Sequence, residues 1–165
     1  MRHLKSLILP FSALVVIPGL ILLSSWSTPL GVNAYLPVFQ VITGSLMCLL
    51  GLILLAVTIR MFVVIGGGTL APWDPTSRLI TEGIYGHVRN PMISGVLIAL
   101  LGESVLLGSP GVFFWAVVFF VGNTIYFRYF EEKGLTGRFG EEYLEYSKHV
   151  PMWVPRIRPW NKGAA

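Results

Sequence analysis

The sequence predicts an all-α integral membrane protein with four transmembrane helices, a cytoplasmic connector and a C-terminal amphipathic helix. Three observations carry this expectation. The 165-residue chain is 54% hydrophobic and only 12% charged, far below the charge content of a soluble globular domain. All twelve Lys and Arg residues stand at the N-terminus, between Arg60 and Arg89, or from Arg128 onward. The apolar intervals Leu4–Leu23, Pro37–Ile59, Pro91–Leu107 and Val112–Phe127 are each about as long as a helix needs to cross ~30 Å of hydrocarbon.

The charge layout also sets orientation. Basic residues collect on the cytoplasmic side of short loops, so Arg2 and Lys5, the Arg60–Arg89 segment and the Arg128–Lys162 tail share that side, with both termini. The opposite loops, Ser24–Leu36 and Gly108-Ser109-Pro110, contain no Lys or Arg. A net charge of +4 spread along membrane borders suits anionic lipid headgroups. It lacks the Arg-rich, aromatic-interleaved run of a nucleic-acid surface, so no nucleic-acid partner is expected. The single cysteine, Cys48, lies within the second interval; it supports neither a disulfide framework nor a metal site.

Taken in order, the first interval follows Arg2, His3 and Lys5 as a signal peptide would. It meets Ser24-Ser25-Trp26 without a small-x-small cleavage motif, and reads as a retained anchor. After the second interval, residues 66–90 are rich in Gly and Pro, which set turns rather than helices. The embedded Trp73, Leu79, Ile80, Ile84 and Tyr85 predict an ordered, functional connector packed on the membrane face. Gly66-Gly67-Gly68 has neither dinucleotide nor phosphate-loop spacing and reads as a flexible hinge. Glu103 in the third interval must face other helices, because a carboxylate in lipid costs at least ~2.5 kcal/mol; a structural role is expected. Asn123 in the fourth predicts an interhelical hydrogen bond. Beyond Phe127, Phe139, Tyr143, Tyr146 and Val150 recur at three- and four-residue spacing opposite Glu141, Glu142, Glu145 and Lys148. That is a short amphipathic helix, with acids in its first turn favoured by the helix dipole and Pro151 ending it. The whole is one domain, 1–165.

Glu131 and Glu132 require a reason. If the fourth span ends at Phe127, they stand near a helix C-terminus, where each carboxylate is disfavoured by ~0.3–1 kcal/mol. Arg128 and Lys133 can compensate them, or a bound ligand can; spacing leaves both open. Successive helical residues point ~100° apart, so at most one should aim into a shared pocket. His87, close to Arg89, is a further candidate for lining a site, whereas His3 and His149 read as interfacial.

Read together, SRLITEGIYGHVRNPMISG and FRYFEEKGLTGRFGEEYLEYSKHVPMWVPR resemble the isoprenylcysteine carboxyl methyltransferase and phospholipid methyltransferase superfamily. The first motif is Gly83-Ile84-Tyr85 followed by Arg89-Asn90-Pro91-Met92-Ile93. The second is Arg128 with Glu131 and Glu132, then Phe139-Gly140, Tyr143, Tyr146 and Val150-Pro151. The resemblance implies an integral membrane methyltransferase that uses S-adenosyl-L-methionine, needs no metal, and acts on a lipophilic acceptor. Cofactor contacts would fall on Ser77, Arg78, Leu79 and Ile80, on Tyr85, on Asn90, Pro91, Met92 and Ile93, and on Glu131 and Glu132. Arg128 would be the catalytic residue meeting the acceptor. Asn90 replaces the family's His and Ile93 its Tyr, so a contact made elsewhere by a phenol is absent here. A prenylcysteine carboxylate, a phosphatidylethanolamine nitrogen and a small thiol all fit as acceptor. Two other readings compete. A sterol-reductase-like membrane fold would need more cations for a phosphorylated nicotinamide than Arg78 and Arg89 supply. A non-enzymatic scaffold or transport component leaves the two-part motif unexplained.

Overall fold

The computed structural model describes residues 8–24, 38–66 and 77–161. The features expected at Arg2, His3, Lys5, Trp26, Gly67, Gly68, Trp73 and Lys162, and most of the first far-side loop, lie outside the described residues. The described chain forms helices α1 (Ile8–Ser24), α2 (Val38–Val64), α3 (Pro91–Leu106), α4 (Pro110–Phe139) and α5 (Glu141–His149), with no strand among them. A helix thus occupies each predicted interval. Two of them, α2 with 27 residues and α4 with 30, are long and apolar enough to cross a membrane. The 16 residues of α3 reach only ~24 Å at 1.5 Å per residue.

The α2–α3 hairpin is packed backbone on backbone. Gly44 and Gly51 on α2 face Gly95 and Gly102 on α3, each pair seven residues apart. A Cβ at Gly51 would lie 2.6 Å from Ala99 N and from Gly95 O, and one at Gly102 would lie 2.6 Å from Cys48 N. Only glycine fits at such a crossing, which is how helices approach closely where lipid gives no hydrophobic drive to associate. Gln40 Nε2 donates to Val105 O at 2.7 Å and ties the far ends of the pair. The fully buried Thr58 satisfies its hydroxyl on the carbonyls of Leu54 and Leu55. Gly108, with φ +57°, then turns the chain. Ser109 caps α4 by accepting from Val112 N–H, and Pro110 occupies the first helical turn, where its missing N–H costs nothing.

The fourth helix does not end at Phe127. It passes through a π-turn at Phe127–Glu131 and continues to Phe139, stopping at Gly140 with φ +55°. Hydropathy reports where lipid ends, and here the helix outlives its apolar stretch by more than two turns. Glu131 and Glu132 therefore sit inside a helix, so the dipole penalty expected for them does not arise.

Beyond α4, α5 is amphipathic as its spacing predicts. Tyr143 and Tyr146 are buried with Val150 and Trp160, against Leu79, Leu135 and Phe139. The remaining chain straps back over the connector. Arg89 N–H donates to Pro151 O at 2.9 Å, Arg156 N–H to His87 O at 3.0 Å, and Trp160 N–H to Gly86 O at 2.9 Å. Tyr146 Oη donates to Tyr85 O at 2.7 Å. A Cβ on Gly86 would stand 3.2 Å from Pro159 Cβ and Trp160 O, so the strap lies directly on this glycine. Connector and tail, far apart in sequence, form one unit at one end of the helices.

Candidate functional site

A cavity of about 680 Å³ runs along one face of α4. Trp115, Phe119 and Asn123, then Tyr126, Glu131, Leu135 and Arg138, line it at three- to five-residue steps, the stripe a helix presents to one side. The first half of that stripe is apolar and the second half charged. Leu9, Pro10, Ala13 and Ile17 of α1 close the apolar end. There Trp115 Nε1 donates to Ala13 O at 3.0 Å, within a second π-turn at Ser12–Val16. The connector and the start of α3 supply the wall between the two ends.

Most of the predicted cofactor residues meet on these walls: Leu79, Ile80 and Tyr85 from the connector, Asn90, Pro91, Met92 and Ile93 at the start of α3, and Glu131 and Glu132 from α4. Tyr85 is 6% exposed, with its ring 6.4 Å from that of Phe62 on α2. Asn90 occupies the N-cap of α3, yet its side chain makes no capping bond and lines the cavity instead. Ser77 and Arg78 are exposed and line nothing here; Ser77 bonds back to Gly66 O. Arg128 is exposed too, in a separate shallow depression shared with Glu132, Lys133 and Thr136. The arrangement therefore does not bring Arg128 onto the cavity wall.

The charges at the polar end are paired differently from the sequence expectation. Arg89 Nη1 donates to Glu132 Oε1 at 2.8 Å and to Tyr143 Oη at 3.2 Å. Glu131 faces Arg138 at 3.8 Å and accepts from Tyr126 Oη at 3.5 Å. Compensation comes from the connector and from two turns further along α4, rather than from Arg128 or Lys133. Both carboxylates line the cavity, against the expectation of one. Both lie at the widened turn, where Glu132 N–H bonds Phe127 O five residues back, and the cavity wraps far enough round α4 that the adjacent Tyr126 and Phe127 also line it together.

Several contributors escaped the sequence reading. Arg89 and Arg138 hold the carboxylates, and Tyr143 and Tyr146 close the wall from α5. Asn123 does line the cavity, but its Nδ2 donates to Phe119 O on its own helix at 2.8 Å, in place of the expected interhelical bond. His87 stays outside, its Nδ1 2.7 Å from Arg156 O. Burial pushes the phenols of Tyr85, Tyr143 and Tyr146 above their ordinary range, with the Arg89 guanidinium partly offsetting this at Tyr143. All three remain neutral near pH 7. One buried polar atom at this end, Arg89 Nε, has no partner within the protein.

Known proteins resemble the same region. Over 84 residues the chain is 40% identical to protein-S-isoprenylcysteine O-methyltransferase B of Arabidopsis thaliana, covering 48% of this chain and 41% of that protein. It is 39% identical over 87 residues to the human protein-S-isoprenylcysteine O-methyltransferase, covering 50% and 29%. It is 34% identical over 80 residues to methanethiol S-methyltransferase 2 of Bradyrhizobium diazoefficiens, covering 47% and 29%. These matches span well under half the length of each relative. No solved structure matches the chain significantly. The profile of the phospholipid methyltransferase family matches residues 39–142, from the glycine seam through the cavity to the first turn of α5, and the chain belongs to that family.

Proposed function

We propose that this protein is an S-adenosyl-L-methionine-dependent integral membrane methyltransferase, with α1 to α4 all crossing the bilayer and the cavity's polar end facing the cytoplasm. The observation that carries the reading is the single cavity joining charged and apolar ends, to which both separated motifs contribute walls. A water-soluble cofactor suits one end and a lipophilic acceptor the other. Arg89 with Glu132 and Arg138 with Glu131 on the cavity wall suit a ligand that carries both an anionic and a cationic group. The cofactor, when bound, supplies an activated sulfonium methyl.

The chain's own residues then hold and orient. Glu132 and Glu131 accept from the ammonium and the ribose hydroxyls, and Arg89 meets the carboxylate with its planar fork of donors. Tyr85, Pro91, Met92 and Ile80 form an apolar wall for the adenine. The sleeve of Trp115, Phe119, Ala13 and Ile17 takes the acceptor's hydrocarbon and excludes water. An in-line displacement needs nucleophile and methyl ~3–3.5 Å apart, so positioning supplies most of the catalysis. Arg128, which flanks Glu132 from outside the cavity, we assign to electrostatic support of that carboxylate rather than to acceptor contact. The acceptors in the relatives' names, a prenylcysteine carboxyl and a small thiol, define the chemistry to try first.

Isothermal titration of the folded protein in detergent with S-adenosyl-L-methionine should give a saturable heat. Incubation with methyl-labelled cofactor and total membrane lipid should then place label in an extractable product. Folded protein without heat of binding would sink the proposal. A phosphorylated nicotinamide is disfavoured because both guanidinium groups lining the cavity face carboxylates.

A further inference from the structure

We propose that the strap from Pro151 to Arg158 is seated in the bilayer surface on anionic lipid headgroups, and that the membrane thereby holds the connector over the cavity. The inference rests on the membrane reading of α4 but not on methyl transfer.

The strap's height comes from Trp153. Its ring centroid lies 5.1 Å from that of Phe120 and 6.3 Å from that of Phe127, both on α4. The helix turns polar only at Arg128, and Phe120 lies ~10 Å before Phe127 along the axis at 1.5 Å per residue. Trp153 therefore packs alongside the apolar part of α4, its Nε1 buried, which sets the strap level with the last apolar turns of that helix. The chain leaves the polar end, dips beside the spanning helix and returns at Trp160.

The strap's composition matches that position. No Asp or Glu occurs from Ser147 to Asn161, while Lys148, Arg156 and Arg158 do. Val154 is 75% exposed and Ile157 95% exposed, an aliphatic pair with none of the described residues over it. Ile157 stands between Arg156, whose Nη1 donates to His149 O at 2.9 Å, and the exposed Arg158, the pattern of a segment that buries aliphatic carbon below the headgroups and lifts a guanidinium to the phosphates. Pro151, Pro155 and Pro159 keep the backbone extended and remove N–H donors that would lose their water there.

What the bilayer holds, the cavity feels. Pro151 O and Arg156 N–H are bonded to Arg89 N–H and His87 O, and the Arg89 side chain reaches Glu132. Displacing the strap therefore moves the residue that pairs with the cavity carboxylate.

The test uses the full chain with Cys48→Ser and a nitrobenzoxadiazole dye on Ile157→Cys, compared with the same dye on Glu141→Cys, which is exposed on α5. In vesicles of phosphatidylcholine with phosphatidylglycerol, the dye at 157 should be quenched by shallow spin-labelled lipid and shielded from aqueous iodide, and the dye at 141 the reverse. Iodide access at 157 equal to that at 141 would overturn the proposal. Shielding at 157 that is identical in vesicles of phosphatidylcholine alone would overturn the headgroup assignment. Ile157→Glu should restore iodide access at a dye placed on Val154→Cys, and should loosen ligand binding severalfold in vesicles while leaving it unchanged in detergent. No cofactor is needed for the quenching result, so its failure and that of the methyltransferase reading are separately visible.

Discussion

The two sides of α3 are built on opposite rules. Toward α2 it presents Gly95 and Gly102, and the helices meet with less than a methyl group's space between backbones. Toward α1 and α4 it presents bulk, and the gap opens into a cavity of about 680 Å³, with the Trp115 indole of α4 donating to Ala13 O of α1. Between helices in lipid, van der Waals contact and hydrogen bonds decide association. A seam with no side chains to rearrange is therefore stiff, whereas the other side packs side chain on side chain, Val96 and Leu100 against Ala13, Leu14 and Ala116, before it widens into the cavity. The proposed ligand site lies on the second side, against a seam that holds one of its walls still.

The sharpest way to break this contrast is to put side chains into the seam. Gly51→Leu and Gly102→Leu should abolish recovery of folded protein, because the first atom added already meets backbone at 2.6 Å. Gly51→Ala should still cost about 1–3 kcal/mol or more, the usual price of overpacking. Gly122→Ala, where nothing lies within 4 Å, should be neutral or stabilising by up to ~1 kcal/mol from helix propensity. Thermal unfolding in detergent separates these outcomes, and a Gly51→Leu protein that melts like the parent would refute the rigid seam.

At the cavity's polar end the contrast is tested through Glu132. Its loss leaves Arg89 bonded only to Tyr143, in a pair 14% and 28% exposed. Glu132→Ala should then destabilise by about 1–2 kcal/mol, below the ~3–5 of a fully buried pair because solvent screens it. The larger effect is on ligand: the heat of binding S-adenosyl-L-methionine should fall at least tenfold in affinity or vanish. Arg128→Ala, outside the cavity, should leave that affinity within about twofold, on the order of 0.4 kcal/mol. The reverse ranking would shift the site into the shallow depression on the other side of α4.

What could be read in the chain divides along the same line. The helices of the apolar intervals were legible because charge depletion over a long stretch is a local signal, and the buried face of α5 because Tyr143, Tyr146 and Val150 repeat at helical period, although Phe139 of the same pattern ends α4 across the break at Gly140. The end of α4 was not, since nothing in FRYFEEKGL announces a π-turn or a helix that runs on to Phe139. Arg89 sits inside a recognisable motif, but its partner lies 43 residues on, and pairings across such a distance leave no periodic trace. Ser77 and Arg78, which the family resemblance grouped with Leu79 and Ile80, are exposed and lie off the cavity wall. The seven-residue glycine spacing on α2 and α3 was available as a signal, but spacing does not say which helix lies opposite.

The connector–tail unit offers a milder test. Tyr146→Phe leaves the buried Tyr85 carbonyl without its 2.7 Å donor and should cost about 1–3 kcal/mol, the penalty of an unsatisfied buried acceptor. The same unit should be sensitive to alkali. The phenols of Tyr85, Tyr143 and Tyr146 titrate above their ordinary value of 10.0 when folded, so the folded state holds protons that the unfolded chain releases first. Their contribution is complete below pH 10 and is lost as pH rises beyond it. Tryptophan fluorescence, followed against pH with Tyr146→Phe alongside, should show the parent losing stability above that point and the variant losing less.

The smallest loss of stability expected is at Trp115, and it probes the cavity side alone. Trp115→Phe keeps an aromatic ring in the sleeve but removes the N–H that Ala13 O receives. That carbonyl lies in the π-turn of α1, where the regular i to i−4 ladder is interrupted, so no neighbouring turn readily replaces the donor. A net loss of about 0.5–1.5 kcal/mol follows for one part-buried hydrogen bond, too little to unfold the protein but enough to let α1 move. Cysteine labelling at Leu9→Cys in a Cys48→Ser background should therefore quicken in Trp115→Phe while labelling at Leu54→Cys, beside the glycine seam, stays unchanged. Equal acceleration at both positions would mean that the two sides of α3 are one cooperative unit, and that the cavity draws no special freedom from how it is packed.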